Sequence, residues 1–137
     1  MIIFVDMKEY LALLLGMFLF FPASAAEKDF FGIARVDKTV HDFGTFTEKD
    51  GAQSCKFMLT NIGTQPLLIE AVVSSCGCTS VKWTRAAIAP GTQGTVEATY
   101  SNEDGPYPFD KTLTVYLGGA PKPVILHLRG EVVKKRK

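Results

Sequence analysis

The sequence is poor in the residues that most catalytic and metal sites need. Its 137 residues include two His, three Cys and one Trp. Basic and acidic residues nearly balance, at 15 against 14, so no large net charge draws the chain to nucleic acid. A nucleic-acid-binding protein is therefore not expected. With 47% hydrophobic residues, the chain still has enough apolar side chains to bury the core of one domain.

Recognisable catalytic arrangements are also missing from the sequence. His41 and Asp42 are neighbours, but adjacent side chains of a strand point to opposite faces, and no nucleophile lies close by in sequence. No Gly-rich segment follows a strand and opens a helix, as phosphate-binding loops require. We therefore expect neither an enzyme nor a bound cofactor.

The longest apolar run lies near the N-terminus. Leu11–Phe21 carries no charge, follows Lys8 and precedes the small residues Ala23–Ala25. Its length is typical of the hydrophobic region of a signal peptide and falls short of the roughly 20 residues that span a bilayer. Residues 1–25 are therefore predicted to be a helical signal peptide, cleaved after Ala25. The product is expected to be exported and to retain no transmembrane segment.

After this leader, apolar residues alternate with polar ones between turn-forming Gly, Pro, Asn and Asp. Cys55, Phe57 and Leu59, for example, share one face of a predicted strand, so Cys55 is expected to be buried and free, although pairing with Cys76 or Cys78 stays open. No stretch has the apolar spacing of a useful amphipathic helix. About seven short strands in about 105 residues predict an all-β fold, an immunoglobulin-like antiparallel β-sandwich.

The sandwich is predicted to occupy residues 33–133, after a short linker at residues 26–32. The remaining residues form a basic tail, Lys134-Lys135-Arg136-Lys137. A run of this size is usually only solvated. The alternative is that it attracts an anionic surface, an interaction that salt would weaken.

The most distinctive local feature is Ser75-Cys76-Gly77-Cys78-Thr79. Three interpretations of its thiols stay open. They form a disulfide, whose very short ring contributes only about 1.6 kcal/mol of chain-entropy stabilisation and favours a reducible bond. They bind soft Cu(I) or Zn(II), although further ligands are scarce, so no residue is assigned to a metal. Or they pack as small hydrophobes or form an inert ring in a sharp turn.

Five segments follow one another in a distinctive order along the chain: Val40–Gly44, Leu59–Gly63, Pro66–Ile69, Ser75–Thr79 and Ala89–Gly91. In this order they resemble the secreted bacterial family called domain of unknown function 1573, and the resemblance runs from about Arg35 to Val133. It implies an immunoglobulin-like sandwich related to pilus-chaperone-like and sperm-protein-like domains, in an exported bacterial protein. It supplies no catalytic residue and no ligand.

Together these features predict a periplasmic or secreted, non-enzymatic module that binds or assembles with an unidentified protein or glycan of the cell envelope. It would do so through loops or through an exposed strand edge. The alternative is a thiol-redox or Cu(I)/Zn(II)-handling protein that uses Cys76 and Cys78. The candidate contact residues are Gly77 and Thr79 in the turn and Asn102, Glu103, Asp104 and Tyr107 in the following loop.

Overall fold

The computed structural model describes residues 26–136, and within them nine strands form two sheets. The predicted signal peptide, residues 1–25, lies outside the described residues. The part of the chain that the structure describes contains no helix that could span a membrane. The strands are β1 (Lys28–Phe30), β2 (Ala34–Val36), β3 (Val40–Thr47), β4 (Gln53–Asn61), β5 (Ile69–Ser74), β6 (Thr79–Trp83), β7 (Gln93–Tyr100), β8 (Pro108–Leu117) and β9 (Val124–Val133).

The two sheets pack as a sandwich, which confirms the predicted fold class. One sheet has the strand order β1-β2-β4-β7-β6, and the other has the order β3-β9-β8-β5. The strands place alternate side chains in the core. In β4, Cys55, Phe57 and Leu59 are buried, as the alternation predicts, while Ser54 and Lys56 are exposed.

The N-terminal part of the sandwich differs from the sequence prediction in two ways. The single leading strand expected near residues 33–46 is two strands in different sheets, β2 and β3. In addition, β3 pairs with β9 in parallel, so the sandwich is not wholly antiparallel. Both differences arise because the chain crosses from one sheet to the other after Val36, and hydrophobic alternation carries no information on sheet membership or strand direction.

The segment predicted as a linker, residues 26–32, contains strand β1. Lys28–Phe30 pairs with β2, and the Asp29 carboxylate lies 2.6 Å from Nε of Arg35 on that strand. Phe30 packs against the edge of the core. A three-residue strand shows too little alternation to be recognised from sequence, which explains part of the difference between about seven predicted strands and the nine observed.

An aromatic cluster fills one end of the sandwich. The ring of Tyr100 stacks on Phe109 with centroids 4.1 Å apart, and Phe109 meets Phe46 edge-on at 6.1 Å. Gly130 of β9 lies directly against these rings. A Cβ atom there would be 2.8 Å from Cζ of Phe109 and 3.2 Å from Cε1 of Phe46.

We expect Gly130→Ala to lower the free energy of unfolding by about 1–3 kcal/mol, because the added methyl overpacks rings that stacking already holds in place. Gly77→Ala is the control, since nothing lies within 4 Å of the Cβ it would add. Its effect should stay within about 0.5 kcal/mol. Urea denaturation of both variants measures the difference, and equal stabilities would contradict this account of the cluster.

Candidate functional site

Several connections meet at the end of the sandwich that holds the aromatic cluster, and we call this the loop end. They are the β3–β4 corner (residues 48–52), the β5–β6 turn (75–78), the β7–β8 loop (101–107) and the segment after β9 (134–136). The Ser101 N–H donates to the Cys78 carbonyl at 2.8 Å, and the Val132 N–H donates to the Tyr107 carbonyl at 3.1 Å. The turn and the loop that the sequence singled out are therefore neighbours in space.

Two serines fix the β5–β6 turn. The Ser74 hydroxyl donates to the Cys76 carbonyl at 2.8 Å, and the Cys76 N–H donates back to that hydroxyl at 3.3 Å. The Ser75 N–H donates to the Thr112 carbonyl at 2.9 Å, and the Thr112 N–H donates to the Ser75 hydroxyl at 3.0 Å. The sequence predicts no role for these serines beyond ending a strand, although Ser in a turn commonly hydrogen-bonds to the backbone in this way.

The structure joins Cys76 and Cys78 in a disulfide, with their Cα atoms 5.3 Å apart. Both residues are half-buried, and Gly77 between them is exposed. The Cys78 N–H donates to Sγ of Cys76 at 3.2 Å, and the hydroxyl of the buried Thr79 lies 3.9 Å and 3.8 Å from the two sulfurs. Cys55 is free and buried, and burial raises the pKa of its thiol to about 11.

A carboxylate lies beside the disulfide. One ligand atom from each of Cys76, Cys78 and Asp104 lies within 4.8 Å of the other two. The Tyr107 hydroxyl donates to Oδ2 of Asp104 at 3.0 Å, and Nζ of Lys111 lies 3.7 Å from the same oxygen. The sequence predicts Asp104 and Tyr107 as contact residues, but it gives no sign that Asp104 faces the cysteines. Lys111 was missed, because its position on the core-facing side of β8 gave no sign that its ammonium reaches the loop.

Buried polar atoms in the residues that lead into the Asp104 loop lack well-formed hydrogen bonds within the described residues. Burial, and after it the neighbouring hydroxyl of Tyr107, raises the pKa of Tyr100 to about 12, and the Tyr100 hydroxyl makes no well-formed hydrogen bond among the described residues. The same is true of Oγ of Ser101 and Oδ1 of Asn102. These three consecutive residues lead from β7 into the loop that carries Asp104.

Asn102 anchors the loop rather than presenting itself to a partner. Its side chain is buried, and Nδ2 donates to the carbonyls of Thr47 at 3.0 Å and Gly51 at 3.1 Å in the β3–β4 corner. Its φ of 60° is in the left-handed region, which Asn tolerates better than most residues. The neighbouring Glu103 is exposed.

The basic tail also begins at the loop end. Lys134, Lys135 and Arg136 are exposed, and together with Glu48 and Lys49 they line a shallow cavity of about 440 Å³. Positive charge therefore stands beside the β3–β4 corner, on the same end of the sandwich as the disulfide.

Residues 34–132 match the sequence model of a protein family of unknown function, DUF1573. The chain belongs to this family. The match spans three of the four connections of the loop end and stops before the basic tail, so the cysteine turn and the Asp104 loop both lie inside the DUF1573 domain.

Similarity to solved structures shows the fold of the DUF1573 domain. A protein of unknown function from Porphyromonas gingivalis W83 is 15% identical, with a TM-score of 0.59 over 85% of this chain and 50% of that chain. Vibrio cholerae VesB protease is 21% identical, with a TM-score of 0.53 over 68% of this chain and 30% of that one. The chain thus spans half or less of the length of these proteins. No curated protein sequence matches the chain significantly.

We expect Asn102→Ala to lower the free energy of unfolding by about 2–3 kcal/mol, because it removes the donor to the corner carbonyls and places alanine at a positive φ. Asn102→Gly should recover about 1 kcal/mol of this loss, since glycine adopts that φ freely. Glu103→Ala is the exposed control and should have little effect. Thermal and urea unfolding measure the series, and equal losses for Ala and Gly would contradict the backbone contribution.

Proposed function

We propose that this DUF1573 domain is an exported, non-enzymatic module that binds a protein of the bacterial cell envelope through the loop end and the adjoining edge strand β6. The observation that carries the proposal is that the turn which starts β6 lies against the Asp104 loop, so that an open strand edge and two neighbouring loops form one continuous surface. Export is supported by the charge-free run Leu11–Phe21 and the small residues after it.

Strand β6 has an open side. Among the described strands it pairs with β7, at the border of its sheet. In an antiparallel pair, every second residue of a strand hydrogen-bonds to its neighbour through its backbone N–H and C=O groups. The Cys78 carbonyl accepts the Ser101 N–H, and the Thr84 N–H donates to the Thr95 carbonyl at 3.0 Å, so the even-numbered residues of this segment face β7. The backbone N–H and C=O groups of Val81 and Trp83 therefore point away from β7. An extended partner segment can hydrogen-bond to such groups as an added strand.

The other sheet borders are less open to an added strand. At β5, the Trp83 indole N–H donates to the Ile69 carbonyl at 3.2 Å and occupies one edge acceptor. At β3, the register shifts between Asp42 and Thr45, and the Asp42 carboxylate accepts the Gly44 N–H at 2.7 Å. Such bulges protect edges from pairing. The remaining border strand, β1, has only three residues.

Photo-crosslinking tests this surface. We expect a photoreactive amino acid at Lys82, exposed on β6, to give a discrete adduct in intact cells, whereas the same group at Lys122, exposed at the opposite end of the sandwich, should not. Val81→Pro should abolish the Lys82 adduct, because proline removes an N–H that faces the open side while an edge position tolerates it. Thermal unfolding checks that this variant is folded.

The same adduct from both positions, or one that persists in folded Val81→Pro, would contradict binding through β6. A Lys82 adduct that consists only of a second copy of this chain would identify self-association at this edge instead and would contradict a heterologous partner.

A second candidate function, thiol–disulfide exchange, is favoured by the accessibility of the disulfide. Cys76 and Cys78 are only half-buried, and their bond closes a ring of two residue steps at the surface. Such a short ring removes little entropy from the unfolded chain, so reduction leaves most of the stability of the domain in place. A surface disulfide that can open without unfolding its domain is suited to reversible exchange.

We expect the double variant Cys76→Ser with Cys78→Ser to lose no more than about 1.6 kcal/mol of unfolding free energy. Mild dithiothreitol followed by alkylation should modify two thiols in the wild type and leave buried Cys55 unmodified, as intact mass shows. Alkylation of all three thiols together would mean that reduction unfolds the domain. That result, or a disulfide that resists the reductant, would remove the exchange hypothesis.

A further inference from the structure

We propose that the reduced form of the loop end binds a zinc ion through the thiolates of Cys76 and Cys78 and the carboxylate of Asp104. The site follows from the convergence of these three donors, which lie within 4.8 Å of one another. It goes beyond the partner surface proposed above and does not depend on it, since strand addition at β6 requires neither reduction nor metal.

The donor geometry suits a tetrahedral ion. Zinc takes bonds of about 2.3 Å to sulfur and about 2.0–2.2 Å to carboxylate oxygen, so its ligand atoms stand roughly 3.5–3.8 Å apart. Once the S–S bond is broken, rotation about the Cα–Cβ bonds of Cys76 and Cys78 lets the sulfurs separate to this distance on the same backbone. The fourth position stays open to water or to a group from a partner.

The donor chemistry favours zinc over copper. Cu(I) is soft and is satisfied by sulfur ligands alone, whereas zinc is borderline and accepts thiolate together with carboxylate. Asp104 is therefore the residue that distinguishes the two ions. A site built for Cu(I) would have no use for it.

The neighbours of Asp104 hold its carboxylate in place as a metal ligand. Tyr107 and Lys111 both contact Oδ2, which orients the carboxylate and leaves Oδ1 without a hydrogen-bond partner in the described part of the chain. Such outer contacts are the usual means of fixing a metal ligand. Lys111 also balances charge, because two thiolates and one carboxylate around Zn²⁺ leave a net charge of −1.

The sulfurs have their own support. The Cys78 N–H already donates to Sγ of Cys76 at 3.2 Å, and the Thr79 hydroxyl lies within 4 Å of both sulfurs. Hydrogen bonds to a charged acceptor favour its charged form, so these donors favour the thiolates over the thiols.

Zinc binding requires the disulfide to be opened by a dithiol reductant. Two electrons and two protons pass from the dithiol to the disulfide, which gives two cysteine thiols and the oxidised reductant. Zn²⁺ then replaces the two thiol protons, which are released to water. Reoxidation by an added disulfide oxidant passes two electrons from the thiolates to that oxidant, which is reduced to two thiols; the Cys76–Cys78 bond forms again and the ion is released.

Metal titration of the purified protein tests the site. After reduction with dithiothreitol and anaerobic removal of the reductant, Co²⁺ should bind at one equivalent and give thiolate-to-cobalt absorption that Zn²⁺ abolishes. Asp104→Asn should weaken Zn²⁺ binding at least about tenfold, as loss of a charged ligand does, and should leave Cu(I) affinity within about threefold. Glu131→Gln, which removes an equal charge on the outer face of β9, should change neither affinity.

Three outcomes would overturn the proposal: no Zn²⁺ binding at 100 μM metal by the reduced protein, binding of equal strength by the oxidised protein, or Zn²⁺ affinity unchanged in Asp104→Asn. Cys76→Ser and Cys78→Ser should each abolish the cobalt absorption, and their unfolding curves show whether that loss reflects the site or the fold. None of these readouts depends on the β6 adduct, so the two proposals can fail separately.

Discussion

The stacking of Tyr100 on Phe109 is the contact on which the loop end depends. Tyr100 is the last residue of β7 in one sheet, and Phe109 is the second residue of β8 in the other. The β7–β8 loop begins directly after Tyr100 and ends just before Phe109, so the stacked rings hold its two ends together across the core. A loop of this length with anchored ends has few arrangements left, and its polar residues are held close to the neighbouring turn.

The two strand pairs around Tyr100 extend this constraint to the disulfide. Tyr100 lies in register with Gln53 on one side and with Thr79 on the other, so the starts of β4 and β6 are fixed by the same strand end. Cys78 immediately precedes Thr79 and is bonded to Ser101 across the sheet. The aromatic stack, the strand register and the cysteine turn thus form a single packed unit.

The sequence allows the faces of the strands to be predicted but not their arrangement in the sheets. The alternation of Cys55, Phe57 and Leu59 identifies the buried side of β4 because side-chain direction is a local property of an extended chain. The parallel pairing of β3 with β9 depends on where the chain crosses between the sheets, which has no local signal. The same limit hid the contact between Asp104 and the cysteines, since it arises from loop closure across the sandwich.

In the sequence, the two cysteines are a pair with few further metal ligands, because Cys and His are rare in the chain. Carboxylates are too common for Asp104 to stand out among 14 acidic residues. What singles it out is position: within residues 26–136 it is the acidic residue whose oxygen lies within 4.8 Å of both sulfurs. Composition therefore bounds the chemistry available to a chain, while the topology decides which of its ordinary residues take part.

The oxidised and reduced forms of the turn present different surfaces to a partner. The disulfide is uncharged, and the Asp104 carboxylate beside it is offset by Lys111. Reduction without metal places two potential anions next to that carboxylate, and their mutual repulsion disfavours the ionised dithiol. A divalent cation removes this repulsion and ties the turn to the Asp104 loop. Because Thr79 is both the neighbour of Cys78 and the first residue of β6, the cysteine turn and the open strand edge are continuous in the chain.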